Sequence, residues 1–257
     1  MNELIRIFKT FFGYLRRPDL YPELLRKIIS NLFNRKSAFR DKETAVSWAK
    51  ENAVSQAEAI SVLFKVDAIP FREQFKNIYS EAIQIEKNCP FKMGGAGALD
   101  VIYYAAEFTQ ARNILETGVA YGWSSLSALT SLKKRDGKLF SSDMPYLGQN
   151  GDAYVGCVVP DELKRHWNLS RQADRESLPK IFKENAVFDV VHYDSDKSYD
   201  GRMWAYRELF AHLRSGGVFI SDDISDNAAF KDFCEANDIQ PKIVSFEGKY
   251  VGVFIKD

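Results

Sequence analysis

Short apolar stretches alternate with longer helical patterns from residue 99 to the end of the sequence, and this alternation limits the possible folds. Four of the apolar stretches end at or next to an acidic residue: ARNILET (111–117), GKLFSSD (137–143), FDVVHYD (188–194) and GVFISDD (217–223). Apolar runs of this length, separated by helices, are typical of parallel strands that are buried on both faces. The pattern therefore predicts an α/β fold with a doubly wound, Rossmann-like sheet.

Three further stretches complete a predicted sheet of seven strands. NLSRQA (168–173) is a short third strand, and KIVSFEG (242–248) and KYVGVFIKD (249–257) predict a C-terminal antiparallel hairpin around a Glu-Gly-Lys turn. The helices predicted in this part of the chain are LDVIYYAAEFTQ, WSSLSALTSLKKR, DELKRHWN, LPKIFKEN, YDGRMWAYRELFAHLRSG and NAAFKDFCEAND.

The distribution of glycine divides the chain. Only Gly13 precedes Gly94, whereas glycines punctuate the sequence regularly after that point. The stretches KETAVSWAKENAV (42–54) and SQAEAISVLFK (55–65) have helical patterns. We therefore predict an N-terminal helical segment over residues 1–88 and an α/β domain over residues 89–257.

Charge and cysteine content narrow the class of protein. The 257 residues contain 35 Lys and Arg and 35 Asp and Glu, so no overall positive field favours nucleic acid as a partner. The three cysteines, Cys89, Cys157 and Cys234, lie far apart in the sequence and lack the spacing of metal ligands. They are interpreted as reduced thiols in the core of a cytoplasmic protein.

The first 40 residues combine apolar and basic positions. Phe11 and Phe12 are followed by Arg16 and Arg17, and no stretch is apolar for long enough to span a membrane. This basic amphipathic pattern fits two kinds of contact. The segment either lies peripherally on an anionic membrane, at its inner face, or docks on the main domain or on a second subunit of a homo-oligomer.

Acidic residues recur where the predicted strands end. Glu116 ends the first strand, Asp143 the second and Asp194 the fourth, and Asp222 and Asp223 end the fifth. Any one of them could be a helix cap or a turn residue. Because the carboxyl ends of parallel strands meet at one edge of the sheet, four such coincidences indicate a ligand site there.

The turn after the first strand, ILETGVAYGWSS (114–125), is shaped for a ligand, since glycine lets the backbone approach closely. The segment Glu116 to Gly122, with Asp143 after the next strand, resembles the first motif and the second-strand acid of class I S-adenosylmethionine-dependent methyltransferases. The resemblance covers roughly residues 90–257 and implies that Asp143 binds the ribose hydroxyls and that Glu116 helps to orient the cofactor ammonium group. The residues of the turn that it implies as cofactor contacts are Gly118, Ala120, Tyr121, Gly122 and Ser124.

Two other segments match this family at positions that contact the cofactor. Met93 and Gly94, in MGGAG, correspond to a segment across the methionine part, although a glycine loop can simply connect helices. Ala173, Asp174 and Arg175, in ADRESLP, correspond to positions at the adenine edge. Asp174 is alternatively a helix cap.

HYDSDKSYDG (192–201) and ISDDI (220–224) resemble the metal-dependent small-molecule O-methyltransferases, the catechol and caffeoyl-CoA type. The resemblance implies that Asp194, Asp222 and Asp223 hold a divalent cation such as Mg²⁺. It also places Lys197 as the general base, with a lowered pKa, next to the catalytic Asp194. The related branch that methylates sugars and antibiotic precursors has histidine at this position, and Lys197 is alternatively a solvated residue that opens a helix.

These observations predict a metal-assisted O-methyltransferase that acts on a hydroxyl of a small molecule or saccharide. A dinucleotide-binding dehydrogenase is disfavoured because Ala120 interrupts the Gly-x-Gly-x-x-Gly spacing. The alternative from another class is a non-catalytic binding or scaffold protein on the same fold. His192 is interpreted as a buried structural residue, and Tyr146, Tyr154 and Trp167 are candidates for a substrate lid.

Overall fold

The computed structural model describes residues 10–33, 41–147 and 151–257, with side chains except at 30–33. Its centre is an eight-stranded sheet in the order β1-β7-β8-β6-β5-β2-β3-β4. Helices cover both faces of this sheet. The predicted doubly wound α/β fold is confirmed.

The strands are β1 (Ala53–Val54), β2 (Asn113–Thr117), β3 (Lys138–Ser142), β4 (Trp167–Ser170), β5 (Phe188–Tyr193), β6 (Leu213–Ser221), β7 (Lys242–Phe246) and β8 (Lys249–Ile255). The described part of helix α1 covers residues 10–15. The other helices are α2 (Tyr21–Phe33), α3 (Lys42–Asn52), α4 (Gln56–Phe64), α5 (Phe71–Gln74), α6 (Lys76–Asn88), α7 (Leu99–Phe108), α8 (Trp123–Leu132), α9 (Asp161–Lys164), α10 (Asp174–Glu184), α11 (Tyr199–His212) and α12 (Ala229–Ala236).

Strand β8 is antiparallel to both β6 and β7, and the remaining neighbours are parallel. The predicted C-terminal hairpin is confirmed. The prediction of seven strands missed β1, which pairs with β7 at the register Ala53–Ile243 and Val54–Val244. It was missed because only two residues form it, directly after the helical pattern of α3.

Two other boundaries differ from the prediction. The predicted helix DELKRHWN is helical only over Asp161–Lys164, and Trp167 already belongs to β4. The helix α11 ends at His212, so that β6 begins at Leu213, four residues earlier than predicted. In both cases a strand takes residues with helical periodicity because it pairs with a neighbouring strand in the sheet.

The core lies on both faces of the sheet. Ile114 packs on one face with α7 and α8, whereas the next residue, Leu115, packs on the other face with α10 and α11. Successive side chains of a strand point to opposite faces, so a strand buried on both sides must be apolar throughout. This explains the continuous apolar runs of the sequence.

The described part of the N-terminal segment is mainly helical, but it also contributes strand β1 to the sheet. Ile60, Phe64, Phe71 and Ala82 belong to the same core as α7 and α8. The domain boundary between residues 88 and 89 stays a prediction. Within the described residues, none of the helices combines the length and apolar character needed to cross a bilayer.

The strand order reverses between β2 and β5, which are neighbours in the sheet although they are distant in the sequence. Backbone hydrogen bonds continue past the strand ends, from the amide of Gly118 to the carbonyl of Ser142 and from the amide of Asp194 to the carbonyl of Thr117. The segments after β2, β3 and β5 are therefore held together at one edge. This is the edge at which ligands bind in open α/β sheets.

Two glycines of the hairpin test how tightly β8 is packed. A Cβ atom at Gly252 would overlap the ring of buried Phe230, whereas a Cβ at Gly248, which has a φ of +80°, would meet nothing within 4 Å. We expect Gly252→Ala to lower the free energy of unfolding by about 2–3 kcal/mol through overpacking. Gly248→Ala should cost only about 1 kcal/mol through backbone strain. Urea denaturation of both variants measures this, and equal losses would contradict the described packing.

Candidate active site

A cavity opens at the carboxyl edge of the sheet, beside the reversal of strand order. It brings together seven of the sixteen predicted site residues with parts of the C-terminal hairpin. Its lining includes Gly94, Gly97, Gly118, Ala120, Trp123, Ser124, His192, Asp194, Asp222, Asp223, Phe246 and Lys249. A wider surface depression, near Trp48 and Lys231, contains none of the predicted residues. The predicted site residues that line a cavity therefore lie at the carboxyl edge of the sheet.

The turn between β2 and α8 requires its glycines. Gly118 and Gly122 have φ angles of +81° and +94°, and Ala120 between them is at +50°. A Cβ at Gly118 would overlap the carbonyl oxygen of Asp194, and one at Gly122 would lie 2.8 Å from the Cα of Gly156. The glycines therefore serve the contact of the turn with neighbouring backbone as well as the approach of a ligand.

Glu116 is buried beneath the turn. Its Oε2 accepts hydrogen bonds from the hydroxyls of Ser125 (2.6 Å) and Ser141 (2.7 Å). Its other oxygen lies 3.8 Å from Nδ1 of His192. The described partners of Glu116 are thus all side chains of the protein itself. Its contact with the cofactor ammonium stays a prediction.

Asp143 is bound on both carboxylate oxygens. Oδ1 accepts a hydrogen bond from the amide of Val119 (3.1 Å), and Oδ2 pairs with the guanidinium of Arg171. Burial raises the pKa of Asp143, although Arg171 and the Val119 amide oppose the rise. The guanidinium also reaches Asp152, at 2.5 Å. Sequence analysis missed Arg171, whose position directly after β4 was the one available signal, and it occupies the oxygen assigned to the ribose.

The three predicted adenine-edge residues begin α10. Ala173 is the N-cap residue of this helix, and the guanidinium of Arg175 lies 4.4 Å from the ring centre of Trp204. Asp174 accepts hydrogen bonds from the hydroxyls of Ser142 (2.7 Å) and Ser195. Asp174 therefore ties the ends of β3 and β5 to α10. Contact of these residues with adenine stays a prediction.

The loop with Met93 and Gly94 is fixed on the glycine turn. The hydroxyl of Tyr121 donates to the carbonyl of Phe91 (2.9 Å) and accepts from the amide of Met93 (3.1 Å). The indole of Trp123 donates to Glu86 (2.5 Å), at the end of α6. Residues 94–97 of the MGGAG loop line the cavity, and Tyr121 positions the loop. The predicted contact of Met93 and Gly94 with the cofactor stays a prediction. Sequence analysis did not identify Trp123 or Glu86.

The acids after β5 and β6 surround the ammonium group of Lys197. Its Nζ contacts Oδ1 of Asp194 and lies 2.9 Å from Oδ2 of Asp223. Lys249, from the hairpin, lies 3.4 Å from the other oxygen of Asp223. Among the described residues, no three acidic, histidine or cysteine side chains are already arranged as a metal site.

The charges in this cluster shift one another's pKa. Burial and the nearby Asp222 carboxylate raise the pKa of Asp194. Burial opposes the charged forms of Asp223 and Lys197 as well, but their mutual attraction lowers the pKa of Asp223 and raises that of Lys197. The pKa of Lys197 therefore moves in the direction opposite to the predicted one, because two carboxylates face its ammonium group.

His192 is 2% exposed, as expected of a buried residue. Its ring nitrogens lie 3.8 Å from Glu116 and 3.4 Å from Asp222, and neither makes a hydrogen bond with any described residue. Burial disfavours the imidazolium, but the carboxylates of Asp222 and Glu116 outweigh it and raise the pKa of His192 to about 10. His192 is therefore a buried cation between two acids, and its attraction to them acts without well-formed hydrogen bonds.

The lid candidates have structural contacts. The ring of Tyr146 packs against Phe91, with ring centres 5.2 Å apart. The indole of Trp167, in β4, donates to Ser141 (2.8 Å), so Trp167 packs beneath the connection instead of covering the cavity. Tyr154 lies in a short 3₁₀ turn of the described part of this connection.

The half-buried carboxyl of Asp174 gives a pH-dependent test. Burial raises its pKa from the ordinary 3.8 to about 6, so the folded state binds a proton that the unfolded state has lost between these values. Stability from this group therefore falls as the pH rises through that window. We expect Asp174→Asn to gain stability relative to the natural protein across this window, with a constant difference above it. Thermal unfolding at a series of pH values measures the difference, and one that is independent of pH would contradict the assigned burial.

Comparisons with known proteins agree with this geometry. A family model described as a methyltransferase domain matches residues 115–224, which hold the glycine turn and all the strand-end acids. A search of curated protein sequences gave no significant match. The family match therefore identifies residues 115–224 as similar to a methyltransferase domain.

Several solved structures share the fold, and two of those given below are described as O-methyltransferases. Cofactor-bound Rv0187 from MTB is 14% identical with a TM-score of 0.55, and the match covers 72% of this chain and 90% of that one. The O-methyltransferase from Bacillus cereus in complex with SAH is 14% identical, with a TM-score of 0.52 and coverage of 81% and 100%. The O-methyltransferase TomG from Streptomyces achromogenes, in complex with SAM, is 16% identical, with a TM-score of 0.53 and coverage of 70% and 90%. Residues 115–224 of this chain therefore match a methyltransferase domain, and the chain shares the fold of these solved structures.

Proposed function

We propose that this protein is a divalent-cation-assisted O-methyltransferase, which transfers the methyl group of S-adenosylmethionine to a hydroxyl of a small molecule or saccharide. The main support is one arrangement. Asp194, Asp222 and Asp223 follow adjacent strands and line the same cavity as the glycine turn at Gly118. Two of the structural neighbours are described as O-methyltransferases with SAM or SAH bound.

Cofactor binding is assigned to the residues on the β2 and β3 side of the cavity. The carboxylate of Asp143 is the proposed acceptor for the ribose hydroxyls, which requires Arg171 to leave its Oδ2. The turn at Gly118 and Ala120 exposes backbone to the methionine part, next to Gly94. The positive charge of the cofactor is favoured by the acids at this edge.

The donor set suits a divalent cation. Carboxylate oxygens are the ligands that Mg²⁺ prefers, and Asp194, Asp222 and Asp223 would hold the ion. Oδ1 of Asp222 is buried and has no hydrogen-bond partner among the described residues, and the ammonium of Lys197 already lies between Asp194 and Asp223. When bound, such an ion lowers the pKa of a coordinated hydroxyl and fixes its position.

Methyl transfer itself is an in-line displacement in which the acceptor oxygen attacks the methyl carbon and the sulfur leaves as S-adenosylhomocysteine. The acceptor hydroxyl must lose a proton, and Nζ of Lys197 is the proposed proton acceptor. An ammonium cannot accept a proton, so Lys197 must first release its own proton to solvent. Its pairing with Asp194 and Asp223 opposes this release, so at least one of these contacts must be lost as well.

Direct metal binding tests the cation assignment without knowledge of the acceptor. We expect Mn²⁺, followed by electron paramagnetic resonance, to bind the natural protein, and Asp222→Asn and Asp223→Asn each to weaken binding by about tenfold or more, which corresponds to ~1.4 kcal/mol. Glu247→Gln is the matched control, because Glu247 is an exposed acid in the hairpin turn beside the cavity. Unchanged Mn²⁺ binding in both aspartate variants would contradict the assignment.

The reaction class is tested with a panel of hydroxylated and amine acceptors, with S-adenosylhomocysteine release as the readout. We expect release with hydroxylated compounds, methyl ethers as products by mass spectrometry, and a loss of at least about 100-fold in Lys197→Met, as removal of a general base typically costs. Transfer to amines alone would overturn O-methylation while leaving the methyltransferase assignment intact.

A further inference from the structure

Helices α1 and α2 present apolar side chains to solvent. Leu25 and Ile29 are 59% and 56% exposed, and Phe12 is 56% exposed. Residues at positions i, i+4, i+7 and i+8 of α2 lie on one face of the helix. The residues that we define as the outer face are Phe11, Phe12, Leu15, Tyr21, Leu25, Ile28 and Ile29.

The opposite side of the same segment is already occupied. Tyr14, Leu20 and Leu24 form a small apolar cluster with Met144 and Leu147, in the connection after β3. This contact accounts for the predicted docking of the N-terminal segment on the main domain. It leaves the outer face without an apolar partner among the described residues.

Polar contacts fix the segment in this orientation. Arg17 donates to the backbone carbonyl of Arg171 (3.2 Å), and Arg26 pairs with Glu176. Both partners lie around the start of α10, close to the proposed ribose and adenine positions. The outer face is therefore held away from the domain, since its apolar residues are on the side opposite to these contacts.

The charge around the outer face is mainly positive, although the exposed Asp19 lies between α1 and α2 in the sequence. Arg16 and Lys27 are exposed beside it. By sequence, residues 1–40 contain nine Lys and Arg but only three Asp and Glu, whereas the whole chain is neutral. Of these nine, Arg6, Lys9, Arg35, Lys36 and Arg40 lie outside the described residues and enter as sequence alone. The N-terminal segment is thus a positively charged, apolar surface on an otherwise acidic protein.

We propose that the outer face of α1 and α2 binds the surface of an anionic lipid bilayer. Aromatic and aliphatic side chains beside Lys and Arg match the apolar and anionic layers of such a surface. A second copy of the chain fits less well, because a symmetric contact would bring two positively charged segments together. In this proposal the outer face lies on the surface of the bilayer and does not cross it.

Co-sedimentation of the full chain with vesicles tests this proposal. We expect binding to vesicles of phosphatidylcholine and phosphatidylglycerol, weaker binding to phosphatidylcholine alone, and release at high salt. The double variant Leu25→Glu, Ile29→Glu should bind the anionic vesicles at least about tenfold more weakly. The control is Val62→Glu, Val187→Glu, which changes two exposed apolar residues outside the outer face and should bind like the natural protein.

Two results would overturn the proposal. One is equal vesicle binding by the natural protein and the Leu25→Glu, Ile29→Glu variant, with folding verified by circular dichroism. The other is a natural protein that does not bind anionic vesicles but forms a dimer in light scattering, while the Leu25→Glu, Ile29→Glu variant is a monomer. That result would assign the outer face to a second copy of the chain.

Discussion

Several carboxylates lie close together at the carboxyl edge of the sheet, and two cationic side chains between them offset their mutual repulsion. The imidazole of His192 lies between Glu116 and Asp222, and the ammonium of Lys197 lies between Asp194 and Asp223. Like charges at such distances repel strongly where water is scarce. The positions of these four acids therefore depend on one or the other of the two cations, whereas Asp143 pairs with Arg171.

The two cations differ in how readily a ligand can displace them. His192 is fully enclosed and belongs to the floor of the site, whereas 39% of the Lys197 side chain is exposed. A ligand can therefore displace Lys197 from its carboxylates at much lower cost than it can displace His192. In the same way, Arg171 is a removable partner of Asp143, since it lies in the segment after β4 and is partly exposed. Lys197 and Arg171 can thus leave their carboxylates when a ligand binds, whereas His192 stays in place beneath them. This arrangement is consistent with a site that exchanges charged ligands.

The sequence allowed prediction of the features that are local. Continuous apolar runs identified the parallel strands, and each strand-end acid was found because it follows its own strand directly. Features that depend on distant pairing were missed. The strand at Ala53–Val54 exists through its pairing with β7, nearly 190 residues away in the sequence. The contact of Arg171 with Asp143 and the position of His192 between two acids likewise arise from neighbouring strands, which no local pattern reports.

Calorimetric titration with S-adenosylhomocysteine tests the central claim most directly, because the cofactor site is the basis of the proposed methyl transfer. The account predicts binding to the natural protein, a large loss of affinity in Asp143→Ala, and no heat with NAD. Absence of S-adenosylhomocysteine binding, or binding of NAD in its place, would contradict the assignment of the turn at Gly118 to a methyltransferase cofactor.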